Sequence, residues 1–390
     1  MKRYMVGALS ARTGDEMSGP ALLVAGLAVT GSPVLASWLL AGLTASAAAG
    51  GPLLGVLLDR ARRPGVVLAR CLAGYAAGLA LVAWGLGRLP GPVLVAAAFA
   101  TGLLGPALTG GWTGQLPLVS GGIPAARAAG LDAMSYNVAG LAGPALVGVL
   151  AAWGGGTAAV PAAVVLLAAA VPAARSLPSR PARATAARAR PAAGVWAELA
   201  AGFAVIVRNP ALRRATGSSM VSCAGLAMLV VSAPVLGADL AGDAGRGALL
   251  LAAFAAAGLA ANALLAWTAG RRSQRDDRWE AVMLWATVLV GAGTALAAVA
   301  GTFAVAVAAA VVAGAGEGPQ LTALFSVRHR EAPERLRSQV FTTGASLKVT
   351  SFALGSAPAG VLAASSPQSA LVVGAALQAL AAALLVIRPR

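Results

Sequence analysis

Residues 19–58 read GPALLVAGLAVTGSPVLASWLLAGLTASAAAGGPLLGVLL, a stretch without one charged side chain, broken by the turn signal Gly31-Ser32-Pro33. Residues 34–58 suffice for one crossing of a bilayer, which takes about 20 apolar residues. The piece before the turn is too short, since it would rise only about 20 Å against a hydrocarbon core of about 30 Å. The first helix is therefore predicted to begin near Tyr4 and to carry Arg12, Asp15 and Glu16 within it. Charges at that depth are tolerable only where they face a cavity or a partner.

Composition widens this local reading to the whole chain. Hydrophobic residues make up 58%, charged residues 11%, and the mean hydropathy is +0.80. Soluble domains carry roughly 25% charged residues. A soluble protein this apolar would have no polar coat, and the apolar runs are too long for the strands of a barrel. Ala and Gly dominate while aromatics are only 5%, as suits membrane helices whose backbones approach closely. The net charge of +16 does not indicate a nucleic-acid partner, because the arginines sit in short clusters between apolar runs. Cys71 and Cys223 lie inside apolar runs, and His329 stands between Arg328 and Arg330, so neither a disulfide nor a metal site is expected. The charges in the first apolar run also argue against a secretory signal.

Working outward, further spans are predicted at 65–86, 92–119, 127–153 and 156–174. The Arg-, Pro- and Ala-rich segment that follows reads as a flexible loop, and 194–207 as a surface helix. Six more spans are predicted at 211–236, 247–268, 279–300, 302–327, 336–363 and 368–387. The expected fold is an all-α polytopic membrane protein of about twelve helices, with six-helix bundles at 1–174 and 195–390 and a basic linker at 175–194. With the N-terminus inside, the cytoplasmic side collects Lys2, Arg3, Arg60, Arg62, Arg63, Arg127, the linker arginines, Arg271, Arg272, Arg275, Arg278, Arg328, Arg330, Arg335, Arg337, Arg388 and Arg390. The outer side keeps Arg88 and Arg246, so both termini are expected in the cytoplasm. An internal repeat agrees. Gly148-Val149-Leu150-Ala151-Ala152 recurs as Gly360-Val361-Leu362-Ala363-Ala364, and Gly105-Pro106-Ala107-Leu108-Thr109 as Gly318-Pro319-Gln320-Leu321-Thr322. Two parallel six-helix repeats are a transporter architecture.

After the second span the chain reads Gly55-Val56-Leu57-Leu58-Asp59-Arg60-Ala61-Arg62-Arg63. This resembles the loop motif of the major facilitator superfamily, with Arg62 in place of the family's second glycine, and the resemblance extends over essentially the whole chain. It implies that fold, alternating access, and a cytoplasmic gate made by Gly55, Asp59, Arg60 and Arg63. An aspartate at that helix end can pair with arginines and with a neighbouring helix N-terminus. The second-half counterpart, Gly270-Arg271-Arg272, has no aspartate. Helix five carries Gly130, Gly143, Pro144 and Gly148 at the spacing of the motif of the family's drug/proton antiporters, with Ala139 and Val147 replacing two of its glycines. The resemblance implies efflux, and small residues with a proline permit close packing and a bend. The arginine that such antiporters place in helix four is absent from residues 95–116.

Ionisable residues within spans are the functional candidates. Arg12 and Asp15 share a face of helix one, and Glu16 points about 100° away from Asp15. Asp15 and Glu16 are a proton or cation site, or a pair at headgroup depth. Glu317, in Gly316-Glu317-Gly318-Pro319-Gln320, and Lys348 each interrupt an apolar helix, both roughly 15 Å deep. They are expected to pair or to compete for a proton or substrate. Asp132, Tyr136 and Asn137 of helix five, with Gln320, Gln115, Tyr75, Trp112 and Trp267, are further candidates for a cavity wall, although Trp at helix ends also anchors at the interface. The leading expectation is proton-coupled efflux of small drug-like or amphipathic molecules, driven by a proton gradient without a cofactor, from a monomer in a bacterial inner membrane. Its partners are the substrate, protons and the lipid bilayer, with no nucleic acid. Import or uniport of a small metabolite is the alternative, and a receptor or scaffold without flux a further one. No catalytic constellation suggests an enzyme.

Overall fold

The structure, a computed structural model, describes residues 1–31, 33–180, 195–242, 247–269 and 278–387. Arg246, Arg271, Arg272, Arg275, Arg388, Arg390 and the linker arginines beyond Arg180 fall outside the described residues. The regular elements among the described residues are all helical. They run α1 Lys2–Thr30, α2 Pro33–Ala45, α3 Ala47–Arg60, α4 Pro64–Gly85, α5 Gly91–Gly102, α6 Ala125–Gly154, α7 Ala159–Arg175, α8 Val195–Arg208, α9 Pro210–Ala241, α10 Gly247–Ala269, α11 Arg278–Ala298, α12 Phe303–Glu331, α13 Arg337–Ser365 and α14 Pro367–Val386. In hydrocarbon a helix satisfies its own backbone, which is why length and apolarity decide the spans.

Nine stretches among the described residues are long and apolar enough to cross a bilayer. The shorter apolar helix Ala159–Arg175 and the more polar 29-residue helices α1 and α13 bring the total to the twelve expected. Helix α1 begins at Lys2, so its charges do lie within it. Gly31 ends it in the left-handed conformation at φ 63°, its N–H returning to the Leu27 carbonyl, a backbone state that costs glycine least.

Two predicted spans are broken. The second divides at Ser46 into α2 and α3. The Ser46 hydroxyl bonds back to the Leu43 carbonyl at 3.1 Å, and Gly102 of α5 packs against that same carbonyl. Such back-bonding competes with the helical ladder. The predicted fourth span, 92–119, is helical only to Gly102, followed by a π-helical turn at Ala107–Gly111 and a 3₁₀ turn at Leu116–Leu118. Pro106 has no N–H to offer the preceding turn, and Gly105, Gly110, Gly111 and Gly114 add backbone freedom around it. Its repeat counterpart Pro319 leaves α12 continuous from Phe303 to Glu331.

The described residues form two compact units. One comprises Met1–Gly122, Val138–Val205 and Ala332–Ser346, the other Ile123–Asn137, Ile206–Glu331 and Leu347–Arg390. In the first, α1 packs on α7, α4 on α7 and α5, and α2 on α5. In the second, α9 packs on α14, α11 on α14 and α12, and α10 on α12. The pairing scheme is the same in both, as the sequence repeat requires. Glycines set equivalent close approaches: Gly102 of α5 meets the Leu43 carbonyl of α2, and Gly314 of α12 meets the Phe254 carbonyl of α10.

These contacts separate structural glycines from dispensable ones. Gly314→Leu should destabilise the detergent-purified protein by about 1–3 kcal/mol through overpacking. A Cβ at Gly148 would meet nothing within 4 Å, so Gly148→Ala should leave stability unchanged or raised. Thermal unfolding of both variants checks this, and a lower melting temperature for Gly148→Ala would contradict it.

Candidate functional site

An acid at the last turn of a helix opposes the helix dipole and must find donors elsewhere. Asp59, at the C-terminal end of α3, finds them at the opposite pole of another helix. Its Oδ1 accepts the Ser338 N–H at 3.0 Å and its Oδ2 the Gln339 N–H at 2.8 Å, both in the first turn of α13. These donors have no intrahelical acceptor, so one buried carboxylate satisfies two of them. The glycines of α3 allow the approach: a Cβ on Gly55 would overlap Gln339, and one on Gly51 would overlap Ser346 and the Thr342 carbonyl.

A cation in this cluster is Arg180. It is only 7% exposed, and its Nη2 lies 4.0 Å from Asp59 Oδ1. Its Nη1 donates to the Leu58 carbonyl and, at 3.1 Å, to the Ala61 carbonyl, satisfying acceptors left over where α3 ends. Its Nη2 donates to Gln115 Oε1 at 2.9 Å, and Gln115 Nε2 donates to the Ser338 hydroxyl at 3.0 Å. The Arg180 N–H also donates to the Arg62 carbonyl at 3.0 Å. One expectation is corrected here: Gln115, expected on a cavity wall, is fully buried in this clasp. Arg60 and Arg63, expected beside Asp59, have exposed side chains, and an arginine assigned to the flexible linker joins Asp59 as well. Spacing could not single out Arg180 among so many linker arginines.

The same unit carries the charges of α1. Arg12 is buried and donates Nη2 to the Thr113 hydroxyl at 2.9 Å. Asp15 is half-buried, bonds with the Tyr75 hydroxyl and lies beside Gly105. Arg12 and Asp15, which share a face of α1, each also engage a residue from elsewhere in the unit. Glu16 is exposed, with Gly143 of α6 packed against its Cβ. Pro144 and Gly148 are exposed, and no contact surrounds Gly148, so the close packing expected of the helix-five motif is carried by Gly143 here and by Gly130 against Ala266 in the other unit. Trp112, another expected cavity residue, is instead a core residue. It is fully buried, and its carbonyl accepts the Tyr4 hydroxyl at 3.3 Å.

In the second unit, Glu317 of α12 and Lys348 of α13 come together as expected, Nζ to Oε1 4.0 Å, with side chains 17% and 29% exposed. The second Glu317 carboxylate oxygen lies beside Gly258 of α10. Asn137 of α6 reaches the same glycine, and its buried Nδ2 has no hydrogen-bond partner. Cys223 of α9 is within electrostatic reach of both Glu317 and Lys348. Gln320, one turn along from Glu317, is committed elsewhere. It donates to the Thr287 hydroxyl at 2.6 Å and to the Ser222 hydroxyl at 3.0 Å, and Ser222 donates to Gln378 at 2.7 Å. A buried, satisfied amide of this kind ties helices together, which replaces its expected place on a cavity wall. Tyr136 packs edgewise on Phe325 with ring centroids 5.5 Å apart, Asp132 is fully buried, and Trp267 is exposed.

A charge cluster at helix ends in this unit escaped sequence reasoning. Glu280, in the first turn of α11, accepts from Arg214 and, at 3.1 Å, from Arg330. Arg330 also pairs with Glu331 at 2.7 Å, and Glu331 accepts from Asn209 at 2.9 Å. The Asn209 side chain in turn accepts the Ala211 and Leu212 N–H groups at the start of α9. Glu280 thus pairs with arginines of two other helices, a relation that no local motif encodes.

Two six-helix repeats with charges sequestered in their spans define a polytopic transporter. The sequence profile of the Major Facilitator Superfamily matches residues 4–341, and the chain belongs to that family of secondary transporters. An uncharacterized MFS-type transporter of Sinorhizobium fredii, y4rN, is 29% identical over 385 residues, covering 97% of this chain and 92% of the relative. Among solved structures, the human organic anion transporter MFSD10 (TETRAN) superposes with a TM-score of 0.74 at 16% identity, covering 98% of each chain. The E. coli fucose:proton symporter FucP gives 0.74 at 12% identity, covering 100% of this chain and 98% of its own. A bacterial homologue of the iron transporter ferroportin gives 0.72 at 16% identity, covering 99% and 98%. At these identities the structures share the fold, and their different cargoes carry over no substrate.

The clasp should behave as one network. Asp59→Asn and Arg180→Gln should each lower stability. The double variant should lose less than the sum of the two, with a coupling of about 0.5–3 kcal/mol. Thermal unfolding of the four proteins measures it, and strict additivity would show that Arg180 and Asp59 act independently. Arg60→Gln should cost less than Arg180→Gln.

Proposed function

We propose that this protein is a proton-coupled exporter of small, drug-like or amphipathic molecules that works by alternating access. The observation that carries the reading is the Glu317–Lys348 pair, a carboxylate and an ammonium in apolar spans, close enough to interact yet partly exposed. Lipid offers no water to stabilise a lone charge, so such a pair persists where its charges are used. When Glu317 is exposed to protons its carboxylate can be neutralised, and Lys348 is then released from it. A substrate that needs the ionised carboxylate competes with that proton. Competition for one group is the minimal device of antiport.

The clasp supplies the second half of the cycle. Asp59 ties α3, from the first sequence repeat, to the start of α13, from the second. Withdrawing the carboxylate leaves two N–H groups and the Arg180 guanidinium without it, so the contact is either made whole or broken outright. Such a contact suits a cytoplasmic gate that has two positions. The helix-five glycines support export, and the arginine clusters support cytoplasmic termini and residence in a bacterial inner membrane.

Reconstitution into liposomes holding a pH-sensitive dye tests the coupling. Wild-type protein should move protons against the flux of cationic, neutral or zwitterionic amphipathic compounds added as a panel. In Glu317→Gln, substrate-driven proton movement should fall about 100-fold, the lower end of what a general acid–base group contributes. Proton movement surviving in Glu317→Gln would remove the pair from the coupling step.

A further inference from the structure

Glu317 and Lys348 are separated by 4.0 Å, about 1 Å longer than a charge-assisted hydrogen bond. No hydrogen bond between them satisfies either partner. A third group faces the same place: Asn137 Nδ2, buried and without an acceptor among the described residues, beside the glycine that also meets Glu317. Gly258 lets these groups approach closely, because a Cβ there would press on Asn137 and the Gly314 carbonyl and touch Glu317. The juxtaposition therefore offers two donors, Lys348 Nζ and Asn137 Nδ2, and one acceptor, the Glu317 carboxylate. Among the described residues, Cys223 from α9 is a further titratable group in reach of both charges, and α10 contributes Gly258 and Asn262. The ion pair itself is neutral overall.

We propose that this pair is a binding site for a compact zwitterion lying alongside it, with the substrate carboxylate taken by Lys348 and Asn137 and its ammonium by Glu317. A zwitterion so placed gives each of the three groups a partner and leaves the net charge at zero. A plain anion leaves Glu317 opposed by nothing but a shared lysine, and a plain cation does the same to Lys348. Either burden is costly in a low-dielectric span. The short separation selects a molecule whose two charges sit on neighbouring carbons, as in an α-amino acid with an apolar side chain. The inference rests on the proton-coupled reading of the same pair and gives it a substrate class: a proton on Glu317 removes the ammonium's acceptor, so zwitterion and proton exclude one another.

Phenylalanine, its methyl ester and 3-phenylpropionate share one skeleton and present a zwitterion, a cation and an anion. Binding to the full-length purified protein, followed by protection against thermal unfolding, should favour phenylalanine over both analogues by at least about tenfold. Glu317→Gln should shift preference toward 3-phenylpropionate, and Lys348→Gln toward the methyl ester. Asn137→Asp should weaken 3-phenylpropionate more than the ester. Opposite shifts of selectivity cannot come from misfolding, and Lys348→Arg should restore the wild-type order. Equal binding of all three probes, binding of none, or unchanged selectivity in the variants would overturn the proposal. Loss of proton movement in liposomes with these selectivities intact would sink the coupling and spare the zwitterion site. Glu317-dependent proton movement without charge selectivity would do the reverse.

Discussion

A charge withdrawn from water must find its partners within the protein, and the placement of polar groups here follows from that. Asp59 is satisfied by the free N–H groups of a helix start, Arg180 by the carbonyls of a helix end, and Glu280 by two arginines. Each solution joins groups that are distant in sequence, so the charges act as fasteners between helices. The helices themselves are held by shape, through glycines at which backbones meet almost directly. Packing thus sets which helices are neighbours, and the polar groups decide which neighbours are locked.

Against that background the Glu317–Lys348 contact stands apart. The buried amide of Gln320, one turn away, makes short bonds to two hydroxyls, whereas the ion pair is loose, partly exposed and flanked by an idle amide. Structural polar groups in membranes are tightly satisfied because the alternative is expensive. A loose, partly exposed ion pair beside an idle amide is the combination that a polar ligand could complete.

The fold was legible because its cause is coarse. Twenty-residue apolar runs, arginines between them and a repeated Gly-Pro segment all follow from bilayer thickness and from two equivalent halves. Glu317 and Lys348 could be paired on paper because each interrupts an apolar helix at matching depth. Asp59 was legible through a local motif whose physics is a helix end. What escaped was whatever depended on distant partners. Arg180 resembles every other linker arginine until the carbonyls of α3 and Gln115 converge on it. Gln115 and Gln320 read as cavity residues because an amide's partners cannot be inferred from its neighbours in sequence. The break of the fourth span was hidden because Gly-Pro interrupts one repeat and is tolerated in the other, a difference made by the surrounding packing.

That difference has a further meaning. The Gly-Pro element is inherited twice, yet near Pro106 it yields a π turn and near Pro319 an unbroken rod. A π turn can change its winding by one residue at small cost, while a continuous helix transmits a twist along its length. Duplication therefore left two copies with the same plan but unequal stiffness, one jointed and one stiff. The stiff copy carries Glu317, one of the paired charges, and the jointed copy leads directly into Gln115, where the fastening is made. Ancestral symmetry was kept in the scaffold and given up in the mechanics.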